Sequence, residues 1–194
     1  MKVTKQDMRG AMKALKQQLT AEQKEREAAA VFDTLEQLQS FKASQRIMLY
    51  SSLPDELPTA AAIGRWSKME GKTLYLPRVA GNDIEVVPYC EGHMRTGAFG
   101  IAEPDGPAAS PADLDLVIVP AMALDKHCRR LGRGRGYYDR LLAQCPAYTI
   151  GVALDCQWAD EVPADEHDAV LCGAVTAQHI AFRESFTQHI KSKS

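Results

Sequence analysis

The stretch LDLVIVPAMALDKHCRRLGRGRGYYDRLL, residues 114 to 142, passes from a continuous apolar run into a loop with glycine at 132, 134 and 136 among arginines. A run such as LDLVIVPAM (114 to 122) suits a strand buried on both faces, as in a parallel sheet covered by helices, rather than one with a wet face. Working outward, short runs of the same kind recur at RIMLY (46 to 50), TLYLPRV (73 to 79), DIEVVPY (83 to 89), YTIGVAL (148 to 154) and AVLCGAVT (169 to 176). TAAAIGRWSKME reads as a crossover helix closed by Gly71, and AGND (80 to 83) as a hairpin turn. The expected fold is α/β and three-layered: a mainly parallel sheet, helices on both faces and some antiparallel pairing at an edge.

The first 40 residues predict two helices. Met8, Met12, Leu15 and Leu19 recur at helical spacing behind Thr4 as N-cap. Thr20 with Gln23 resembles a capping box, and Val31, Phe32, Leu35 and Leu38 continue an apolar stripe up to a turn near Ser40. With 194 residues, 45% hydrophobic and 25% charged, one domain is expected over 1–194, in which 177–194 is an extension that packs a helix and ends in a basic tail. No run approaches the roughly 20 apolar residues of a membrane span, and the opening MKVTKQDMRG lacks a signal peptide's apolar centre. A cytoplasmic monomer is expected. Five scattered cysteines without a C-x-x-C pair predict free thiols and no zinc site. A formal charge of -2 predicts no nucleic-acid or membrane partner, so any charge-driven function must be local.

It is concentrated between Lys126 and Arg140, where six basic residues (Lys126, Arg129, Arg130, Arg133, Arg135, Arg140) face a single acid, Asp139. Glycines there let the backbone approach a ligand, and a helix starting at Tyr137 adds unpaired N–H groups, so the natural ligand is a polyphosphate. The spacing is neither that of a Walker A loop nor G-x-G-x-x-G. Two other readings stand beside it: solvated arginines with Asp139 capping a helix, and an RNA-contacting stretch, against which the tract's brevity and its place between core strands both count. A carboxylate beside phosphate points to Mg²⁺, with a second ligand from Asp165, Glu166 or Asp168 in PADEHDAV, although solvated loop acids are the commoner reason for such a cluster. Lys5 and Arg9, four apart, can grip phosphates from one helix face, although a solvated face is the commoner reason for such a pair. Asp55 and Glu56 follow the first strand, where loops of open α/β sheets carry ligands; segments 51–59, 123–139 and 155–168 are favoured on that ground.

Taken in order, KQDMR, YSSLPDELPT, YLPRV, the central LDLVIVPAMALDKHCRRLGRGRGYYDRLL and PADEHDAVLCGAVT resemble the 5-formyltetrahydrofolate cyclo-ligase (methenyltetrahydrofolate synthetase) family from about residue 5 to 176. The resemblance implies an ATP- and Mg²⁺-dependent closure of 5-formyltetrahydrofolate to 5,10-methenyltetrahydrofolate with release of ADP and phosphate, through a phosphorylated formyl group. By position it implies that Lys5, Arg9 and Arg130, Leu131, Gly132, Arg133, Gly134, Arg135, Gly136, Tyr137 and Tyr138 bind ATP. It further implies that Ser51, Glu56 and Arg133 to Tyr137 face the folate, Glu56 toward the pterin, with Arg133 and Arg135 catalytic and Asp139 and Asp168 on Mg²⁺. Two departures stand out: Cys128, where relatives often carry glycine, and Arg135, where many carry lysine or glycine.

Overall fold

Two helices open the chain by the same device: a threonine side chain accepts an N–H at the third helical position, whose own side chain accepts the threonine N–H. In the computed structural model, which describes residues 3–97, 100–166 and 168–183, these are α1 (Lys5–Gln17) and α2 (Ala21–Gln37). A short α3 (Gln39–Ala43) follows, where the sequence suggested only a turn. Then come β1 (Arg46–Met48), α4 (Ala60–Trp66) and the hairpin of β2 (Thr73–Ala80) and β3 (Asp83–Pro88). A small hairpin, β4 (Met94–Thr96) with β5 (Ala102–Pro104), precedes β6 (Leu116–Pro120). Next are β7 (Ala123–Asp125), β8 (Arg130–Leu131), α5 (Tyr137–Leu142), β9 (Tyr148–Val152), β10 (Trp158–Ala159), β11 (Gly173–Val175) and β12 (Ile180–Phe182).

Seven strands form the main sheet in the order β12-β11-β9-β6-β1-β2-β3. The five inner strands are parallel; β3 and β12 close the two edges antiparallel. The expected α/β architecture is therefore present, with antiparallel pairing at both edges. Alternation along each strand sends side chains to opposite faces. Ile47, Leu74, Leu76, Leu116, Ile118, Ile150 and Val152 pack with Val31, Phe32 and Leu35 of α2 and with Trp66 of α4. Met48, Tyr75, Val117, Val119 and Ala174 face the other way, onto Leu141 of α5 and Leu124 of β7. Met8 and Met12 pack α1 on Met122, Ala123, Leu131 and Val162.

Several strands are shorter than the apolar runs that predicted them, because the buried chain runs on beyond the paired segment: Leu49 and Tyr50 after β1, and Ala153 and Leu154 after β9, are buried outside it. The segment 90–113, which carries none of the apolar runs read as strands, contains the β4–β5 pair. After Thr176 the chain enters strand β12 rather than a helix; the rest of the expected C-terminal extension, beyond 183, lies outside the described residues.

Strand order reverses direction at β1: the chain proceeds to β2 on one side and returns to β6 on the other. In open α/β sheets this is where a crevice opens at the carboxyl ends of the strands. The loops after β1 and β6 flank that crevice here, and β7–β8 and α5 complete its rim.

Candidate active site

Asp125, wholly buried at the end of β7, organises the approach to the glycine loop. Its carboxylate accepts the N–H groups of His127, Arg129 and Val162 at 2.8, 3.1 and 2.8 Å and the Arg129 guanidinium at 2.8 Å. The turn it closes puts Cys128 at φ 59°, a left-handed value uncommon away from glycine. Cys128 thus occupies the very position where the resembling family often has glycine. Its thiol is buried, and burial pushes it up to about 11.

The loop itself is held by arginines laid against its glycines. A Cβ at Gly132 would come 2.8 Å from the Arg130 guanidinium, and one at Gly136 2.7 Å from that of Arg140; Gly134 has Arg9 beside it at 3.5 Å. Gly134 and Gly136 also have φ of 95° and 69°, so side chains there would strain the backbone as well. Arg9 Nε donates to the Gly132 carbonyl at 2.8 Å, which ties α1 to the loop. Arg140 binds the Asp83 carboxylate at 2.6 Å, the Asn82 carbonyl and the Arg135 carbonyl, which ties the loop to the β2–β3 turn.

Around the loop, cations and carboxylates interlock. Arg130, 6% exposed, reaches Asp139 at 2.5 Å, while its Nε is buried with no partner. Lys5 bridges Asp168 and Asp165 at 2.5 and 2.7 Å. Arg133 binds Asp55 and Glu56 at 2.5 and 2.8 Å, and Asp55 also takes Lys16 at 2.7 Å. Lys16, 2% exposed, touches the Met122 sulfur as well and was given no role from sequence. It shares a helix face with Lys5, Arg9 and Met12, a spacing that offered the clue. Glu56 is engaged on both oxygens: the second accepts the Leu53 N–H at 2.9 Å. Above these groups, burial, together with nearby Glu56, raises the phenol of Tyr138 far beyond its usual range despite Arg130, so it stays a neutral donor.

Burial alone would raise Asp55, but the ion pairs to Lys16 and Arg133 outweigh it and bring the carboxyl down to about 2. Asp168 is lowered too: burial opposes ionisation, and Lys5 and the Asp165 N–H overcome it. A depressed folded-state value stabilises above the ordinary one of 3.8 and loses that contribution as the pH falls toward about 2. In urea unfolding, Asp55→Asn is expected to be less stable than wild type at neutral pH, with the gap constant down to about pH 4 and closing toward about pH 2. A gap independent of pH would show that Asp55 acts through shape rather than charge.

These elements enclose a cavity of about 550 Å³, within the range of small-molecule sites. Every residue that the resemblance assigned to the site lines it: Lys5, Arg9, Ser51, Glu56, the run Arg130 to Asp139, and Asp168; Asp55, Asp165, Glu166, Lys126, Arg129 and Arg140, also singled out, do not. The bland reading holds only in part. Arg130 is buried against Asp139, whereas Arg133 and Arg140 are exposed yet engaged in ion pairs and Arg135 is exposed; Gly136, with no side-chain bond, stands at the N-cap of α5. Sequence reasoning missed Pro77, Val79, Ile84, Ile101 and Glu103, which form an apolar wall with one carboxylate in it. For the first three, the hairpin signal marked the strands but not the face; for Glu103, the sole hint was an acid within the apolar GIAEP. Among the described residues no group of three or more His, Cys, Asp and Glu could hold a metal alone.

Fold and cavity together define the class: an α/β enzyme whose ligand site lies at the switch point of a parallel sheet, under a basic glycine loop. The chain belongs to the 5-formyltetrahydrofolate cyclo-ligase family, whose model matches residues 1–177. It is 28% identical over 183 residues to the 5-formyltetrahydrofolate cyclo-ligase of Mus musculus, covering 84% of this chain and 89% of that one. To the enzyme of the same name from Escherichia coli (strain K12) it is 31% identical over 144 residues, 69% and 79% of the two chains. The solution structure of Aquifex aeolicus 5,10-methenyltetrahydrofolate synthetase superposes with a TM-score of 0.84 at 32% identity, covering 93% of each chain.

Proposed function

We propose that this cavity closes 5-formyltetrahydrofolate to 5,10-methenyltetrahydrofolate at the expense of ATP, and that the residues around it divide the work as follows. Lys5, Arg9 and the Arg130–Tyr138 loop hold the triphosphate, with backbone N–H groups exposed by the glycines. The folate lies beside them along Ser51 and Glu56, so that the formyl oxygen meets the γ-phosphate above Arg133 to Tyr137. That oxygen attacks phosphorus and ADP leaves; the anilino nitrogen then attacks the activated carbon, gives up its proton, and phosphate departs. A formamide is poor as nucleophile and as electrophile, so the protein must align the partners and offset charge as it moves. Arg133 and Arg135 are the cations proposed for that task.

Mg²⁺ fits the donors present: Asp139 and Asp168 line one cavity, and this metal characteristically takes one or two carboxylates plus substrate phosphates. Bound there, it would neutralise charge on the phosphate oxygens. Arg130 and Lys5, which now satisfy those carboxylates, would turn to the phosphates in exchange. We place the enzyme in the cytoplasm as a single-domain monomer. All five cysteines are free, and no helix among the described residues is long and apolar enough to cross a membrane.

What supports this reading most is the convergence of Lys5 and Arg9, more than a hundred residues away in sequence, on the glycine loop and Asp168. The test is direct. Purified protein with 5-formyltetrahydrofolate and Mg²⁺ should give a near-ultraviolet rise from the methenyl product that requires ATP; no such rise sinks the proposal.

A further inference from the structure

Among the described residues four carboxylates line the cavity, and three are matched to cations. Glu56 has Arg133, Asp139 has Arg130 and Asp168 has Lys5. Glu103, on β5, is the exception. It is 4% exposed, yet among the described residues its side chain has no cation within ion-pair distance and a single hydrogen bond, a long one of 3.3 Å from the Val79 N–H to Oε1. Its carboxylate lines the cavity with acceptor capacity to spare and no cation beside it, so it can take donors from a ligand there. Its position is held by contact. Gly97 packs so closely that a Cβ there would lie 2.1 Å from Glu103 Oε2 and 2.0 Å from its carboxyl carbon.

The surroundings specify the donor. Pro77, Val79, Ile84 and Ile101 line the same cavity with side chains that offer no hydrogen bonds, a wall suited to a flat ring. A carboxylate beside such a wall presents two acceptors, and its complement is a neutral ring edge with two adjacent donors. The 2-amino-4-oxo-pyrimidine ring of a reduced pterin has that edge, in its ring N–H and exocyclic amine. Adenine does not: its amine sits next to an acceptor nitrogen that a carboxylate repels. Glu56, assigned to the pterin from the sequence resemblance, already accepts from Arg133 and the Leu53 N–H, so Glu103 offers a second carboxylate with no cation on it.

We infer that Glu103 is a further residue that recognises the folate, beside Glu56, accepting the donor edge of the pterin at the apolar end of the cavity. This rests on the reaction proposed above. Glu103 positions and selects the substrate; it does not touch the reacting formyl group.

Glu103→Gln removes one acceptor while keeping the shape and the bond to Val79. By calorimetry, its Kd for 5-formyltetrahydrofolate is expected to rise at least tenfold, its Kd for ATP to change less than twofold, and its melting temperature to hold or rise. Gly97→Ala, which keeps the carboxylate but displaces it, should reproduce the selective loss. A 2-desamino analogue of 5-formyltetrahydrofolate should bind wild type as weakly as the natural folate binds Glu103→Gln, and should lose little further affinity in that variant. Unchanged folate affinity in Glu103→Gln, or equal weakening of ATP and folate with a lowered melting temperature, overturns the assignment. Failure of the wild-type protein to bind 5-formyltetrahydrofolate would instead sink the proposed reaction, so the two failures are distinguishable.

Discussion

Arg135→Ala should cut kcat by about 100- to 1,000-fold while changing the Kd for ATP far less, the loss expected when one preorganised group facing developing charge is removed. Arg135 is displayed between Gly134 and Gly136, both at positive φ, and it lines the cavity. In the arrangement proposed above, Lys5, Arg9 and Arg130 also hold ground-state ATP, so losing one further cation weakens binding little, whereas the transferring phosphoryl group depends on the cation nearest the formyl oxygen. Arg135→Lys should recover all but about tenfold, because a point charge replaces a two-pronged donor. Steady-state kinetics beside equilibrium ATP binding decides the matter: unchanged turnover in the alanine variant removes Arg135 from the chemistry.

Asp139→Asn is expected to damage the fold and the reaction together. Arg130, 6% exposed with its Nε already unpartnered, would lose its one counter-charge, and breaking a buried pair on one side costs about 3 kcal/mol or more. For a chain of this size that corresponds to a melting temperature lower by roughly 6 to 12 °C. Turnover should fall as well, and the Mg²⁺ concentration for half-maximal rate should rise. A variant that melts early yet keeps the wild-type Mg²⁺ dependence would confine Asp139 to holding Arg130. Arg130→Met, which removes the buried charge itself, should melt closer to wild type than Asp139→Asn does.

Most of the architecture was legible because it rests on periodicity. Continuous apolar runs at 114–122 and 148–154 could be buried only between two layers, and the threonine capping signals at Thr4 and Thr20 locate both opening helices. Cationic residues of the site were visible for a related reason: glycine and arginine at alternate positions have few structural uses. Glu103 and the wall of Pro77, Val79, Ile84 and Ile101 were not, because an apolar residue on a strand reads alike whether it faces a core or a cavity. Lys16 was hidden differently. A lysine on an amphipathic helix looks solvated until the fold buries it against a carboxylate such as Asp55. The strands β7, β8 and β10, of three, two and two residues, are too short to carry any period.

The guanidinium groups packed on the loop glycines also constrain how this sequence can change. Gly132 is occupied by Arg130 from the loop's own base, Gly134 by Arg9 from the first helix, and Gly136 by Arg140 from the helix that follows. Enlarging Gly132 or Gly136 displaces its arginine, whereas a Cβ at Gly134 would only touch Arg9, and shortening an arginine uncovers its glycine. Positions 130 and 132, and 136 and 140, are therefore expected to drift as couples, so that a substitution harmful alone becomes tolerable once its partner has moved. The motif is less a string of letters than a set of paired dependencies spread from one end of the chain to its middle.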